Sequence, residues 1–159
     1  LTEARLDAVI GAARAGRDPL RAAELGLVVS DVSFISLRQV LPAVIDSVPN
    51  ADDVVVLVKP QYEVGRPHVR GGIVHDREVA ADAVVDVVRE ARDLGLGLHG
   101  FGPSPITGTR GNREFLAWFR PIREIDGDER AMTSRHRQQW EDRIRAVVVT
   151  GAVAEGGRE

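Results

Sequence analysis

Two short apolar runs, each closing on a charged residue, constrain the fold of this chain more than any other feature. The first is Leu25-Gly26-Leu27-Val28-Val29-Ser30-Asp31; the second is Val54-Val55-Val56-Leu57-Val58-Lys59-Pro60. Both are short and rich in β-branched residues, as expected of strands buried on both faces. Pro60 stops the second, because proline cannot continue a central ladder. Between them, Leu37 to Val48 has helical spacing, and Pro49-Asn50-Ala51-Asp52 is a turn. Strand, helix and strand over this interval fit a βαβ crossover, which implies parallel pairing.

Downstream, residues 60–76 read as a long loop without periodicity, with three glycines and two prolines. Loops of that length in a compact domain are usually functional. Asp76 is placed to cap a helix from Arg77 to Leu94, and Gly95 to end it. Leu96 to Gly102 is a third strand, and 104–112 is turn-rich. Arg113 to Arg120 is a fourth strand, whose Trp118 and two phenylalanines suit a sheet interior. The loop before it is too short for a crossover helix, so strands three and four should be antiparallel. Residues 1–24 read as a polar helical lead-in. Residues 129–147 read as an Arg-rich terminal helix in which the stretch from Arg135 to Arg145, with Glu141 and Asp142, is a solvated face. The expected organisation is a lead-in over 1–24, an α/β domain over 25–122 and a helical extension over 123–159.

Composition narrows the chemistry. The 159 residues suit one domain, and 43% hydrophobic residues suffice for a core. A net charge of −3 does not mark a dedicated nucleic-acid binder. There is no cysteine, and the four histidines, His68, His75, His99 and His136, show no ligand spacing, so no metal site is expected. No apolar run approaches the roughly 20 residues of a membrane span. No signal peptide is visible, which makes the cytoplasm the default location. The chain begins at Leu1 and its only methionine is Met132, which suggests a fragment. Of 21 basic residues only Lys59 is lysine, which marks a place where arginine does not serve.

Asp31 and Lys59 each sit at the carboxyl end of a parallel strand, where open α/β sheets bind ligands. Glu114 sits at the start of the reversed strand, on the same edge if that strand lies beside the Lys59 strand. With strands about 4.8 Å apart, the three charges fall within roughly 5–10 Å of one another. The arrangement is either a satisfied ion cluster or a site handling a proton or an anion.

Four ordered blocks between about Leu25 and Arg120 closely resemble the TlyA family. They are Asp31-Val32-Ser33-Phe34-Ile35-Ser36-Leu37, Val58-Lys59-Pro60-Gln61-Tyr62-Glu63, Gly71-Gly72-Ile73-Val74-His75-Asp76, and Ser104-Pro105-Ile106 with Gly111-Asn112-Arg113-Glu114-Phe115. That family is described both as hemolysins and as ribosomal-RNA cytidine 2′-O-methyltransferases, with an FtsJ-like catalytic domain. The resemblance implies the C-terminal half of a Rossmann-like (class I) methyltransferase sheet, about four strands with the last antiparallel. It implies S-adenosylmethionine as methyl donor and ribosomal RNA or a ribosomal subunit as partner. Asp31, Lys59 and Glu114 match the last three members of the family's Lys-Asp-Lys-Glu tetrad. The first lysine, the glycine-rich donor loop and the N-terminal RNA-binding domain have no counterpart here.

Under that resemblance Asp31, with Ser33 and Phe34, falls on the donor side. Lys59 faces the ribose hydroxyl, either neutral as a general base or charged as an orienting cation; the flanking carboxylates favour the second role. Arg66, Arg70, Arg110 and Arg113, with His68, are candidates for phosphate contacts. Tyr62 or Phe34 could stack on a base or on adenine, although core packing is the plainer expectation for Phe34. Glu63 reads as a solvated loop carboxylate that could also touch substrate, and Gly71-Gly72 as a turn or an anion nest. The alternative function is an inactive RNA- or partner-binding remnant of the same fold. Direct membrane lysis is not expected, since no amphipathic pore-like segment is visible. An open sheet edge at the Asp31 strand should favour self-association.

Overall fold

A computed structural model of the chain describes residues 26–122 and 134–151. The lead-in expected over 1–24 lies outside the described residues. The elements are β1 (Leu27–Ser30), α1 (Leu37–Ser47), β2 (Asp53–Val58), α2 (Pro60–Glu63), β3 (Val69–Arg70), β4 (Ile73–Val74), α3 (Arg77–Asp93), β5 (Leu96–Pro103), β6 (Phe115–Pro121) and α4 (Ser134–Thr150). Single 3-10 turns occupy Arg66–His68 and Thr109–Gly111.

The main sheet runs in the order β1-β2-β6-β5. β1 and β2 are parallel, with Val29 opposite Val55. β6 is antiparallel to both neighbours, so Phe115 at its start faces Val58 on one side and Pro103 on the other. The expected α/β architecture, with a parallel pair and a reversed last strand, is therefore present. The reversed strand does lie beside the Lys59 strand. It is inserted between β2 and β5, which puts its first residues level with the carboxyl ends of both.

Period-two alternation decides the faces. Val54, Val56 and Val58 of β2 and Phe115, Ala117 and Phe119 of β6 point into one core with α1, α3 and α4. Helix α3 supplies most of the partner surface, including Val84, Val85, Val87 and Val88. Burying each such valine contributes about 1.5–3 kcal/mol. Its ends follow the sequence expectation: Asp76 accepts from the N–H groups of Glu78 and Val79 at 2.9 and 3.2 Å, and Gly95 takes φ +86° just past the last turn.

The opposite sheet face carries Leu27, Val29, Leu116 and Trp118, all exposed. Trp118 corrects an expectation here. It alternates with Ala117 and Phe119, so it cannot share their face, and 41% of it is exposed. Its indole Nε1 donates to Asp53 at 2.8 Å.

Residues 60–76 are also more ordered than a loop. They contain α2, a 3-10 turn and the β3–β4 hairpin, elements too short to leave a periodic signal. The terminal helix is not a solvated stretch. Ile144, Val147 and Val148 enter the core, and the buried Glu141 forms a two-bond pair with Arg89 at 2.9 and 2.7 Å. That pair fastens α4 to α3. Residues 129–133 of the helix as expected lie outside the described residues.

Candidate active site

The strand ends bring the three selected residues to one sheet edge. Asp31 directly follows β1, Lys59 directly follows β2, and Glu114 directly precedes β6. The Lys59 Nζ lies 2.7 Å from an Asp31 carboxylate oxygen and donates to the Ser33 hydroxyl at 3.0 Å. The two partners differ in solvation: the Lys59 side chain is 13% exposed and that of Asp31 63%. The lysine is therefore held, while its carboxylate partner stays open to solvent.

Glu114 is engaged differently. It accepts a hydrogen bond at 3.2 Å from the side-chain amide of Gln61, two residues past Lys59. On its other side it lies against Gly108, where an added Cβ would overlap the carboxylate. The cluster is therefore a linked row, Ser33 and Asp31 to Lys59, and Gln61 to Glu114. It is not a lysine clamped between two acids.

A cleft of about 310 Å³ opens over this row. Lys59, Gln61 and Glu114 form its polar wall, and Ser33, Phe34, Tyr62, Arg110 and Asn112 also line it. Phe34 is 89% exposed, against the expectation of core packing. Its φ of +65° turns the ring out of the chain path, and it meets Tyr62 at 5.1 Å between ring centroids. Two aromatic rings at the mouth of a polar cleft can take a flat heterocycle.

The roof is latched to the wall by side chains bonding to backbone. The buried Asn112 donates to the Gly72 carbonyl at 2.7 Å, and Arg110 to the Gly71 carbonyl at 3.0 Å. An added Cβ at Gly72 would press on the Arg110 guanidinium. Gly71-Gly72 thus receives a cation and an amide through its carbonyls, which is the reverse of an anion nest.

Glu63 also departs from expectation. It is buried, accepting from the Ser36 hydroxyl at 2.5 Å and from the Leu37 N–H at 2.8 Å. Burial pushes its carboxyl above the ordinary value, against the pull of those two hydrogen bonds and of Arg38. It ties α2, and so Lys59, to the start of α1.

The basic candidates separate. Arg110 lines the cleft, whereas Arg66, His68 and Arg70 are exposed on the excursion before β4. Arg113 turns to the end of α4, donating to the carbonyls of Val148 and Val147 at 3.0 and 3.4 Å. Gln61, Asn112 and Gly108 received no role from sequence. The first two stand inside the quoted blocks, which was the available signal; Gly108 left none. No cluster among the described residues could hold a metal ion. None of the described helices is long and apolar enough to cross a membrane.

Comparison with known proteins settles the family. The model for the FtsJ-like methyltransferase family matches residues 5–121. This chain belongs to the FtsJ-like methyltransferase family. It is 47% identical over 95 residues to the 16S/23S rRNA (cytidine-2'-O)-methyltransferase TlyA of Mycobacterium tuberculosis, covering 59% of this chain and 35% of that protein. It is 36% identical over 94 residues to Hemolysin A of Brachyspira hyodysenteriae, covering 58% and 39%. A solved candidate hemolysin from Lactococcus lactis superimposes with a TM-score of 0.59 at 36% identity, over 62% of this chain and 47% of that one. The chain thus spans little more than a third of the curated relatives it matches.

Proposed function

We propose that this chain carries the acceptor side of a ribosomal-RNA 2′-O-ribose methyltransferase, with a cytidine 2′-hydroxyl as methyl acceptor. The observation that carries the reading is the Asp31–Lys59 ion pair at the strand ends of an FtsJ-like domain, with Lys59 and Glu114 lining one cleft. S-adenosylmethionine, when bound, supplies a methyl group on a positively charged sulfur.

The residues fit such a donor on one side. Phe34 offers an exposed ring face to an adenine, and the solvated Asp31 carboxylate offers a charge to an ammonium or sulfonium. Lys59, held by Asp31 and Ser33, acts as the orienting cation: it donates to the ribose oxygen and stabilises negative charge as it develops there. Glu114 would take the hydroxyl proton as the oxygen accepts the methyl group that a bound donor would supply. Arg110, and the exposed Arg66 and Arg70, approach the RNA backbone as positioning contacts. Arg113, which donates to the carbonyls of Val148 and Val147, takes no RNA contact in this reading. This work belongs in the cytoplasm, where ribosomes are made.

The test is transfer of labelled methyl groups to purified ribosomal RNA. It uses this chain and the same chain fused behind the preceding portion of the M. tuberculosis relative. Methylation of a 2′-oxygen blocks alkaline cleavage of the adjoining linkage, so the expected label sits in alkali-resistant dinucleotides containing cytidine. Label on a base, or none from the fused protein, would overturn the proposal and favour a binding remnant.

A further inference from the structure

The two oxygens that hold the Lys59 ammonium belong to a different part of the chain from the lysine. Lys59 leaves β2, which has a strand on either side, and starts the single turn α2. Asp31 and Ser33 lie on the stretch that leaves the edge strand β1, where Ser33, Phe34 and Ile35 are all exposed. Three contacts join this stretch to the lysine side. Lys59 reaches Asp31 and Ser33, Tyr62 meets Phe34, and Glu63 accepts from the Ser36 hydroxyl and the Leu37 N–H. Their strengths differ. An ion pair with a solvated carboxylate is weak, and so is a ring contact made by an exposed Phe34. Glu63 is 7% exposed and takes two short charge-assisted hydrogen bonds, with the Arg38 guanidinium 4.0 Å away. The firm join between the two segments is therefore Glu63.

We infer that Glu63 is a positioning residue for Lys59: it locks the stretch after β1 against α2, and so keeps the Asp31 and Ser33 oxygens where they hold the ammonium. The catalytic use of that placement rests on the acceptor-site reading above. The links close a ring. At one end the Lys59 Nζ bonds Ser33; at the other the Glu63 carboxylate bonds Ser36 and Leu37. Only a few residues separate the two ends on either segment, so freeing the Glu63 end lets the Ser33 end drift. The ammonium then loses its fixed point while its charge is unchanged. Glu63 touches neither Lys59 nor the substrate; it acts through the segment that bears the lysine's partners.

The chain's lone lysine supplies the readout. Grown on lysine labelled at the ε carbon, the chain gives one set of labelled side-chain signals in nuclear magnetic resonance, that of Lys59. Well below melting, the two ε protons of the wild type should resonate apart, because a held methylene sees two different surroundings and a freely rotating one averages them. Glu63→Ala should merge the two signals. Glu63→Gln should restore the separation, since its amide oxygen can accept from the Leu37 N–H and its nitrogen can donate to the Ser36 hydroxyl. In the fused enzyme Glu63→Ala should lower kcat about 10²-fold, the effect of a small misplacement, with KM for RNA near the wild-type value; Glu63→Gln should turn over near the wild-type rate. A folded Glu63→Ala chain with separate ε signals shows that Glu63 only stabilises the fold, and overturns the inference. Merged signals in the wild type overturn it too, because the lysine is then not held. If Glu63→Ala does not fold, Ser36→Ala removes one of the two bonds and should narrow the separation; an unchanged separation overturns the inference. An inactive wild-type fusion overturns the acceptor-site reading instead, and the ε signals still decide whether Glu63 places the lysine.

Discussion

Lys59 is the lone lysine beside twenty arginines, and its surroundings show what an arginine would lack. Its ammonium reaches both a carboxylate and a hydroxyl as a compact point charge, 2.7 and 3.0 Å away. A guanidinium carries the same charge on a broader planar fork and cannot place it at the same point. Lys59→Arg should therefore keep the ion pair with Asp31 and the melting temperature. It should lower methyl transfer by the fused enzyme by about 10²–10³-fold, the usual effect of misplacing one donor to a developing oxyanion. Near-normal turnover would remove the special role of this lysine. At this scale the sequence exposed Asp31, Lys59 and Glu114, because strand ends and residue chemistry are both visible in one dimension. Gln61 and Asn112 stayed hidden, because their roles come from contacts 53 and 40 positions away in the chain.

Elements with a long periodic signal, such as α3 and the valine run of β2, were legible in sequence. The excursion from Pro60 to Asp76 was not, since α2 and the β3–β4 hairpin are shorter than one repeat of any pattern. What holds α2 is Glu63, a charged residue that local reading sends to solvent. Its burial depends on α1, whose first N–H and capping serine supply the hydrogen bonds. Glu63→Ala should cost about 1–3 kcal/mol in urea unfolding, because the Leu37 N–H is left buried without an acceptor. Glu63→Gln separates charge from bonding. The folded chain binds the Glu63 proton more tightly than the unfolded chain, whose value is the ordinary 4.5. Stability from this group is therefore present below that value and is lost as pH rises through the raised folded value. Glu63→Gln should lose less stability than wild type as pH rises above 4.5. Parallel pH profiles for the two proteins would show that burial of this carboxyl does not govern the dependence.

At the scale of the whole molecule, the described sheet is covered by helices on one face only. Its other face aligns Val29, Val55 and Trp118 across three strands, through the pairings Val29 to Val55 and Val55 to Trp118. Among the described residues β1 has a neighbour on one side only, and Val29, the middle of its outward face, is 69% exposed. An apolar edge strand with unsatisfied backbone groups is a template for another chain, and a net charge of −3 gives weak repulsion against it. The isolated chain should therefore self-associate through β1, and sedimentation velocity should show a weight-average mass that climbs with concentration. Val29→Lys puts a charge at the centre of that edge, a substitution natural edge strands use against pairing. It touches neither the core nor the Lys59 cleft, so helix content and melting should be preserved while association weakens. If the wild type stays monomeric at every concentration, β1 does not act as an open edge in solution. If Val29→Lys associates as strongly as wild type, the contact lies on another surface.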